Sequence, residues 1–425
     1  MKIKIILIFF ILVSCSSNSE LEINVEDLKK EGEVIINSKI YSGENQEEIK
    51  KIDQVKINNS ITNKFLLKSD LIKNNIKIVS KSYYKTNNNN SYKRSIVSYN
   101  NNIIFVDDYS NIVILDKNLK LIKKIKSPIE RKYENFPLRS SLLVHEDTLF
   151  VADNYGNVFS TNLNSYSIAW QLNLGVPFVS NLVMYKNSLF VINLNGKIYS
   201  INAISGKQNW SFETGGSKID SEEAYKIFQK ENILVFTNSS GNVYCIDILK
   251  QSVLWNYKIP FNVNSQNYNN FFYVNDLLVE KNFLFISTSF GILKTDIQIG
   301  KPLWLMPIYS KTNFINNFDT LITVDVNGFL TIIDKSRGDI LFKKNISKYE
   351  LLRKINLKIE NVNDIFTGYQ NLYLVTNDGN LIAIKASNLD IVFLSRIAKS
   401  VNSNIVLFDK KIFFIGNKDL IYSIE

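Results

Sequence analysis

The stretch Ser188-Leu189-Phe190-Val191-Ile192-Asn193-Leu194-Asn195-Gly196-Lys197-Ile198-Tyr199-Ser200-Ile201-Asn202-Ala203-Ile204-Ser205-Gly206-Lys207-Gln208-Asn209-Trp210 decides the fold. Leu189 to Ile192 reads as an apolar inner strand, and Asn195-Gly196 as a two-residue hairpin turn, where glycine supplies positive φ. Lys197 to Ile201 alternates as a second strand, Ser205-Gly206 turns again, and Gln208 opens an outer strand that carries Trp210. The unit recurs along the chain. Its acidic or amide anchor falls at Asp116, Asn162, Asn202, Asp247, Asp296 and Asp334, with Lys385 and Glu425 in the degraded last units. The hairpin glycine precedes most anchors, as Gly156, Gly196, Gly241, Gly328 and Gly379, and an aromatic follows, as Trp170, Trp210, Trp255, Trp304, Phe342 and Phe393. Strand units repeating every ~40 to 50 residues mark a β-propeller. The eight anchors predict an all-β, eight-bladed propeller of four-stranded antiparallel blades, in which the repeated tryptophans pack one blade on the next.

The 425 residues exceed an ordinary single domain, but a radial array lengthens without enlarging any one core. The formal charge of +10 accompanies a bias toward Asn, Lys and Ile, as in Asn87 to Asn90 between Lys85 and Lys93. Lysine is scattered rather than interleaved with aromatics on one element, so the charge reads as a solvated surface and no nucleic acid is expected.

The N-terminus carries a targeting pattern. Lys2 and Lys4 precede the apolar run Ile5 to Leu12, too short for a permanent span, and Leu12-Val13-Ser14-Cys15 closes it. This resembles a bacterial lipoprotein signal. The resemblance implies cleavage before Cys15, acylation of that cysteine, a tether beginning at Ser16-Ser17-Asn18-Ser19, and export to the periplasmic face of the outer membrane. Cys245 is then the remaining thiol, which leaves no partner for an intramolecular disulfide, and its alternating run Val243 to Asp247 reads as a strand that buries it. Three regions follow: residues 1–14 as signal, 15–75 as tether and spacer, and 76–425 as propeller. The last unit stops after the strand Asp419 to Ile424, and the segment Ile76 to Lys81 is expected to supply its outer strand and close the ring.

The units Asn202 to Trp210 and Asp296 to Trp304 resemble the Asp-x-x-(Thr/Ser)-Gly-x-x-x-Trp repeat of quinoprotein-type propellers. Quinone-dependent dehydrogenases of this type carry a vicinal cysteine pair and a calcium-binding acidic cluster, and the chain has neither pattern. With a lipobox, a spacer and eight repeats, the chain is similar to the BamB family, the lipoprotein subunit of the outer-membrane β-barrel assembly machinery. That resemblance implies a non-catalytic scaffold without cofactor or metal, held to the membrane by its N-terminal lipid, that binds the POTRA domains of the barrel-inserting subunit through two inter-blade loops. By position these loops fall on Ser217 to Ser221, with Ile219 and Asp220, and on Phe271 to Asp276, with Tyr273, Asn275 and Asp276. The family's arginine is replaced by Asp220, and its acidic and proline pattern is absent from the second loop.

His145, the one histidine, lies beside Glu146 and Asp147 and reads as a solvated turn residue, which leaves no pattern for a Ser-His-Asp triad or a histidine zinc site. The hairpin glycines stand singly and no Gly-x-x-x-x-Gly-Lys-(Ser/Thr) pattern occurs, so no phosphate-binding loop is expected. The alternative to a scaffold is a lipid-anchored propeller that binds or processes a small molecule or glycan at the ring axis, expected to show a pocket lined by carboxylates or aromatics.

Overall fold

The computed structural model describes residues 21–22, 78–83 and 93–424, apart from 108, 129–137, 215–221, 260–271, 311, 347–361, 369–370, 387–388, 410 and 417–419. The signal, Cys15, most of the spacer, Ile219, Asp220 and Glu425 lie outside the described residues.

The chain forms eight antiparallel four-stranded sheets, seven of them in simple chain order. Blade 1 runs from Ile96–Tyr99 to Leu121–Ile125, blade 2 from Ser140–His145 to Ser167–Asn173, and blade 3 from Val183–Tyr185 to Gln208–Glu213. Blade 4 spans Ile227–Lys230 to Ser252–Lys258, blade 5 Val274–Glu280 to Pro302–Met306, blade 6 Ile315–Asn317 to Ile340–Asn345, and blade 7 Val362–Thr367 to Ile391–Arg396. Blade 8 contains Val406–Phe408, Lys411–Ile415 and Leu420–Ile424, and its outer strand is Ile78–Tyr83, paired antiparallel with Leu420–Ile424. Blade 4 has a fifth partner, because Leu21 and Glu22 pair parallel with Tyr257 and Lys258.

Burial explains the composition of the strands. The second and third strands of each blade are covered on both faces by neighbouring blades, so Leu189–Ile192 and Ile198–Ile201 are buried throughout. The apparent alternation of Lys197 to Ile201 therefore does not separate core from solvent: Ile198 to Ile201 are all buried, Ser200 fully, and Lys197 alone is half-buried. Apolar clusters fill the seams around the whole ring. Phe159 and Ile114 join blades 1 and 2, Tyr244 and Phe190 belong to a cluster spanning blades 3 to 5, and Ile96, Phe413 and Ile421 join blade 8 to blade 1. A seam that returns from the last blade to the first leaves no open edge between them.

Two expectations are corrected. The apolar strand Ser188–Ile192 is second in its blade rather than innermost; Val183–Tyr185 pairs with it as the first strand of the blade. Innermost strands escaped the sequence reading because they are short or mixed, three to seven residues with few fully buried, which is too little for a clear period. The glycine turn also differs from a two-residue hairpin. Gly196 N donates to Asn193 O at 3.0 Å and Asn193 N to Lys197 O at 3.0 Å, which encloses a three-residue loop with glycine at φ 75°. That geometry is the bulged hairpin, which takes a left-handed residue last rather than at both centres.

Candidate functional site

The first strands and the connections leading into them surround a funnel at the ring axis, a cavity of about 1090 Å³. Its wall is dominated by amides, hydroxyls and aliphatics, with Arg139, Lys226, Glu222, Glu223 and Asp378 among the charged groups and Phe178 as its aromatic. It is thus a polar funnel rather than a pocket lined by aromatics or a ring of carboxylates.

Many of these amides hold the ring together. Asn404 Oδ1 accepts from Ile96 N at 3.0 Å and its Nδ2 donates to Ile96 O at 3.0 Å, clasping blade 8 to blade 1. Asn181 makes the same two bonds to Ile227, at 3.1 and 2.8 Å, between blades 3 and 4. Asn363 Nδ2 donates to Ser403 O at 2.8 Å between blades 7 and 8, and Ser141 Oγ to Ser180 O at 2.8 Å between blades 2 and 3. A side-chain amide that mimics a peptide group satisfies an edge strand's buried backbone.

The residues of the second predicted contact loop fall into this system. Asn275 and Asp276 are in the innermost strand of blade 5 and reach blade 6: Asn275 Nδ2 donates to Ser310 O, and Asp276 Oδ2 accepts from Phe314 N at 2.9 Å. Tyr273 is half-buried just before that strand, and burial followed by the nearby Glu223 charge raises its phenol. Of the first loop the described end is the short turn Glu222–Ala224, which packs against the strand Val274–Glu280. Glu222 pairs with Arg139 of blade 2, and the Tyr225 hydroxyl donates to Leu194 O of blade 3 at 2.9 Å. The described ends of both loops therefore lie side by side on the funnel rim.

His145 is exposed at the end of its strand, away from the funnel lining, next to Glu146 at φ 50°. Among the described residues no group of three or more His, Cys, Asp or Glu side chains is arranged to hold a metal ion. Cys245 is fully buried, and desolvation, with the Asp247 charge adding to it, pushes its thiol up to about 12.

A set of turn residues escaped the sequence reading. Asp107, Asp153, Asn193, Asn238 and Asp325 sit between the second and third strands of their blades, almost wholly buried. Each uses Oδ1 to accept backbone N–H groups two and four residues ahead, as Asp153 does from Tyr155 at 2.8 Å and Asn157 at 3.0 Å. The signal was present as Asx-x-x-(Gly/Ser), in Asp153 to Gly156 and Asp107 to Ser110. These side chains build the turns, and Asp107 and Asp325 also face Lys124 and Lys343 of their outer strands at 3.0 and 3.8 Å. Burial still raises the carboxyls of Asp153 and Asp325, against the lowering effect of the amides they accept from.

The fold is shared with proteins of several kinds. BamB from Moraxella catarrhalis superposes with a TM-score of 0.67 at 10% identity, over 82% of this chain and 99% of that one. The quinohemoprotein alcohol dehydrogenase ADHIIG from Pseudomonas putida HK5 gives 0.59 at 9% identity, over 82% and 76%, and Saccharomyces cerevisiae Sqt1 gives 0.61 at 12%, over 80% and 97%. At these identities the likeness shows the architecture alone. No curated protein matches the sequence. The family model described as outer membrane protein assembly factor BamB matches residues 118–344, more than half of the chain, and the chain belongs to that family.

Proposed function

We propose that this protein is a non-catalytic scaffold of the outer-membrane β-barrel assembly machinery, anchored at the periplasmic face by an acylated Cys15, and that its funnel rim binds POTRA domains of the barrel-inserting subunit. The observation that carries the reading is the family match over residues 118–344. It is supported by the rim itself, where the ends of the two inter-blade loops meet on a surface made rigid by inter-blade amide bonds. A rigid face presenting two loops can orient mobile partner modules without chemistry, and a standard interface of about 1,200 to 2,000 Å² needs no deeper pocket. Binding of a small molecule or glycan at the axis is less favoured, because Asn181, Asn275, Asn363 and Asn404 spend their amides on neighbouring blades.

Affinity capture of the acylated protein from detergent-solubilised membranes tests the reading. Recovery of a POTRA-bearing outer-membrane barrel is expected, and a lone lipoprotein would overturn it. Residues Ile219, Asp220 and Tyr273 are proposed as contacts. Asp220→Lys is expected to weaken capture while the melting curve stays unchanged, and undiminished capture would remove that loop from the interface.

A further inference from the structure

Each blade has two ends. Turns between second and third strands lie at the funnel end, whereas turns between first and second and between third and fourth strands lie at the other. Exposed large apolar side chains are divided unequally between them. Among the described residues, Tyr109 and Val326 are the two at the funnel end. Ile204, Leu249, Ile299 and Phe318, at 71%, 62%, 65% and 44% exposure, stand on turns at the opposite end of four consecutive blades, 3 to 6. The rest, such as Leu121 and Leu254, follow those turns on outer strands.

These positions are held out rigidly. Asn202 Oδ1 accepts from Ile204 N at 3.0 Å, Asp247 Oδ1 from Leu249 N at 2.9 Å, and Asp296 Oδ1 from Gln298 N at 2.8 Å. In each of the last two turns an isoleucine, Ile248 or Ile297, is buried while Leu249 or Ile299 projects, so the exposed residue is not filling its own blade's core. The same end of these blades carries exposed Lys186, Lys207, Lys250, Lys281 and Arg337. Its acids are Glu231, Asp319, Glu280, which pairs with Lys335 at 2.6 Å, and Asp339, bonded to Arg337 at 3.0 Å, together with Asp247, Asp296 and Asp334, which accept from turn amides. Aliphatic tips ringed by cations match a bilayer interface with anionic headgroups.

The N-terminal pairing points the same way. Leu21 and Glu22 run parallel to Ser252–Lys258 opposite Tyr257 and Lys258, so the N-terminal side of this pair is directed toward Ser252, beyond which the Leu249 turn lies. Cys15 is six residues before Leu21, a reach of at most about 20 Å, and the strand from Ser252 to Tyr257 is of similar length.

We propose that the turn end of blades 3 to 6 docks on a phospholipid bilayer containing anionic lipid, with Ile204, Leu249 and Ile299 entering the interface and Lys207, Lys250 and Arg337 meeting phosphates. The reach argument rests on acylation at Cys15, but the surface argument does not. Flotation of the full mature chain carrying Cys15→Ser, with vesicles of phosphatidylethanolamine and phosphatidylglycerol, tests the surface without an acyl chain. Binding is expected to fall about tenfold or more in the Ile204→Ser/Leu249→Ser/Ile299→Ser variant at an unchanged melting temperature, and to weaken when phosphatidylcholine replaces phosphatidylglycerol. Equal binding by both chains, or no binding by either, would overturn the proposal. So would a variant that ignores this difference on vesicles yet loses a captured protein, which would assign the face to that protein.

Discussion

The indole of Trp170 in blade 2 occupies the space in front of Gly206 in blade 3: a β-carbon at 206 would stand 2.6 Å from Cδ2 and Cε3, and Nε1 donates to Ala203 O at 2.8 Å. The contact recurs as Trp255 on Gly300 and Trp304 on Gly338, each with its indole N–H on the next blade's turn carbonyl, of Ile297 and Lys335. Where the outer residue is Phe342, the facing turn position holds Leu389 at φ 56°, and between blades 3 and 4 it holds Gln251 at φ 54°. The tryptophan and glycine of the repeat are thus partners across a seam rather than two features of one blade.

Gly206→Ala is expected to cost about 1 to 3 kcal/mol, from overpacking against Trp170 and a non-glycine residue at φ 72°. Trp170→Phe in the same chain should recover part of that loss, as the Phe342 and Leu389 pair suggests. A double-mutant cycle by denaturant unfolding measures the coupling, and strict additivity would show that the indole is not the obstacle.

Asn404→Ala strips both bonds from Ile96 at the seam where blade 8 meets blade 1. A destabilisation of about 1 to 3 kcal/mol is expected for buried backbone groups left unpaired. Hydrogen exchange should accelerate first in Ile96–Tyr99 and Val406–Phe408, and uniform acceleration around the ring would contradict a local clasp.

Burial raises the Asp153 carboxyl above its ordinary value. The folded protein then binds a proton more tightly than the unfolded chain, so the aspartate's contribution declines as pH rises through its folded pKa. Asp153→Asn retains the Oδ1 acceptor used by Tyr155 and Asn157, the arrangement Asn193 and Asn238 have in blades 3 and 4. The melting temperature of the variant relative to the natural protein should increase from about pH 4 to about pH 7. Parallel pH profiles would mean that the fold does not raise the Asp153 carboxyl.

Cys245, raised to about 12 by burial, should react with maleimide at neutral pH about a thousandfold more slowly than a free thiol until the blade opens. Labelling rates in increasing urea should track global unfolding. Fast labelling in native conditions would place blade 4 among locally opening regions.

The family contact pattern was legible only by position. The Phe271 to Asp276 stretch reads as a contact loop by position; Asn275 and Asp276 also bond to blade 6 from an innermost strand that begins at Val274 and that no periodicity announces. Likewise Asp153 and its equivalents escape the sequence reading, and only the folded backbone shows which amide N–H groups they accept from.

By itself the sequence determined the number of blades, since the anchor and the turn glycine are local requirements of the tight turns and recur, with an aromatic at a fixed offset, in most units. Tertiary structure decided what those units do to one another. Which glycine accommodates which tryptophan, how Asn404 closes the ring on Ile96, and why Ile204 and Leu249 stand outward together all depend on residues distant in the chain meeting across seams. Such contacts are fixed by packing against a neighbouring blade, and local propensity carries no record of them.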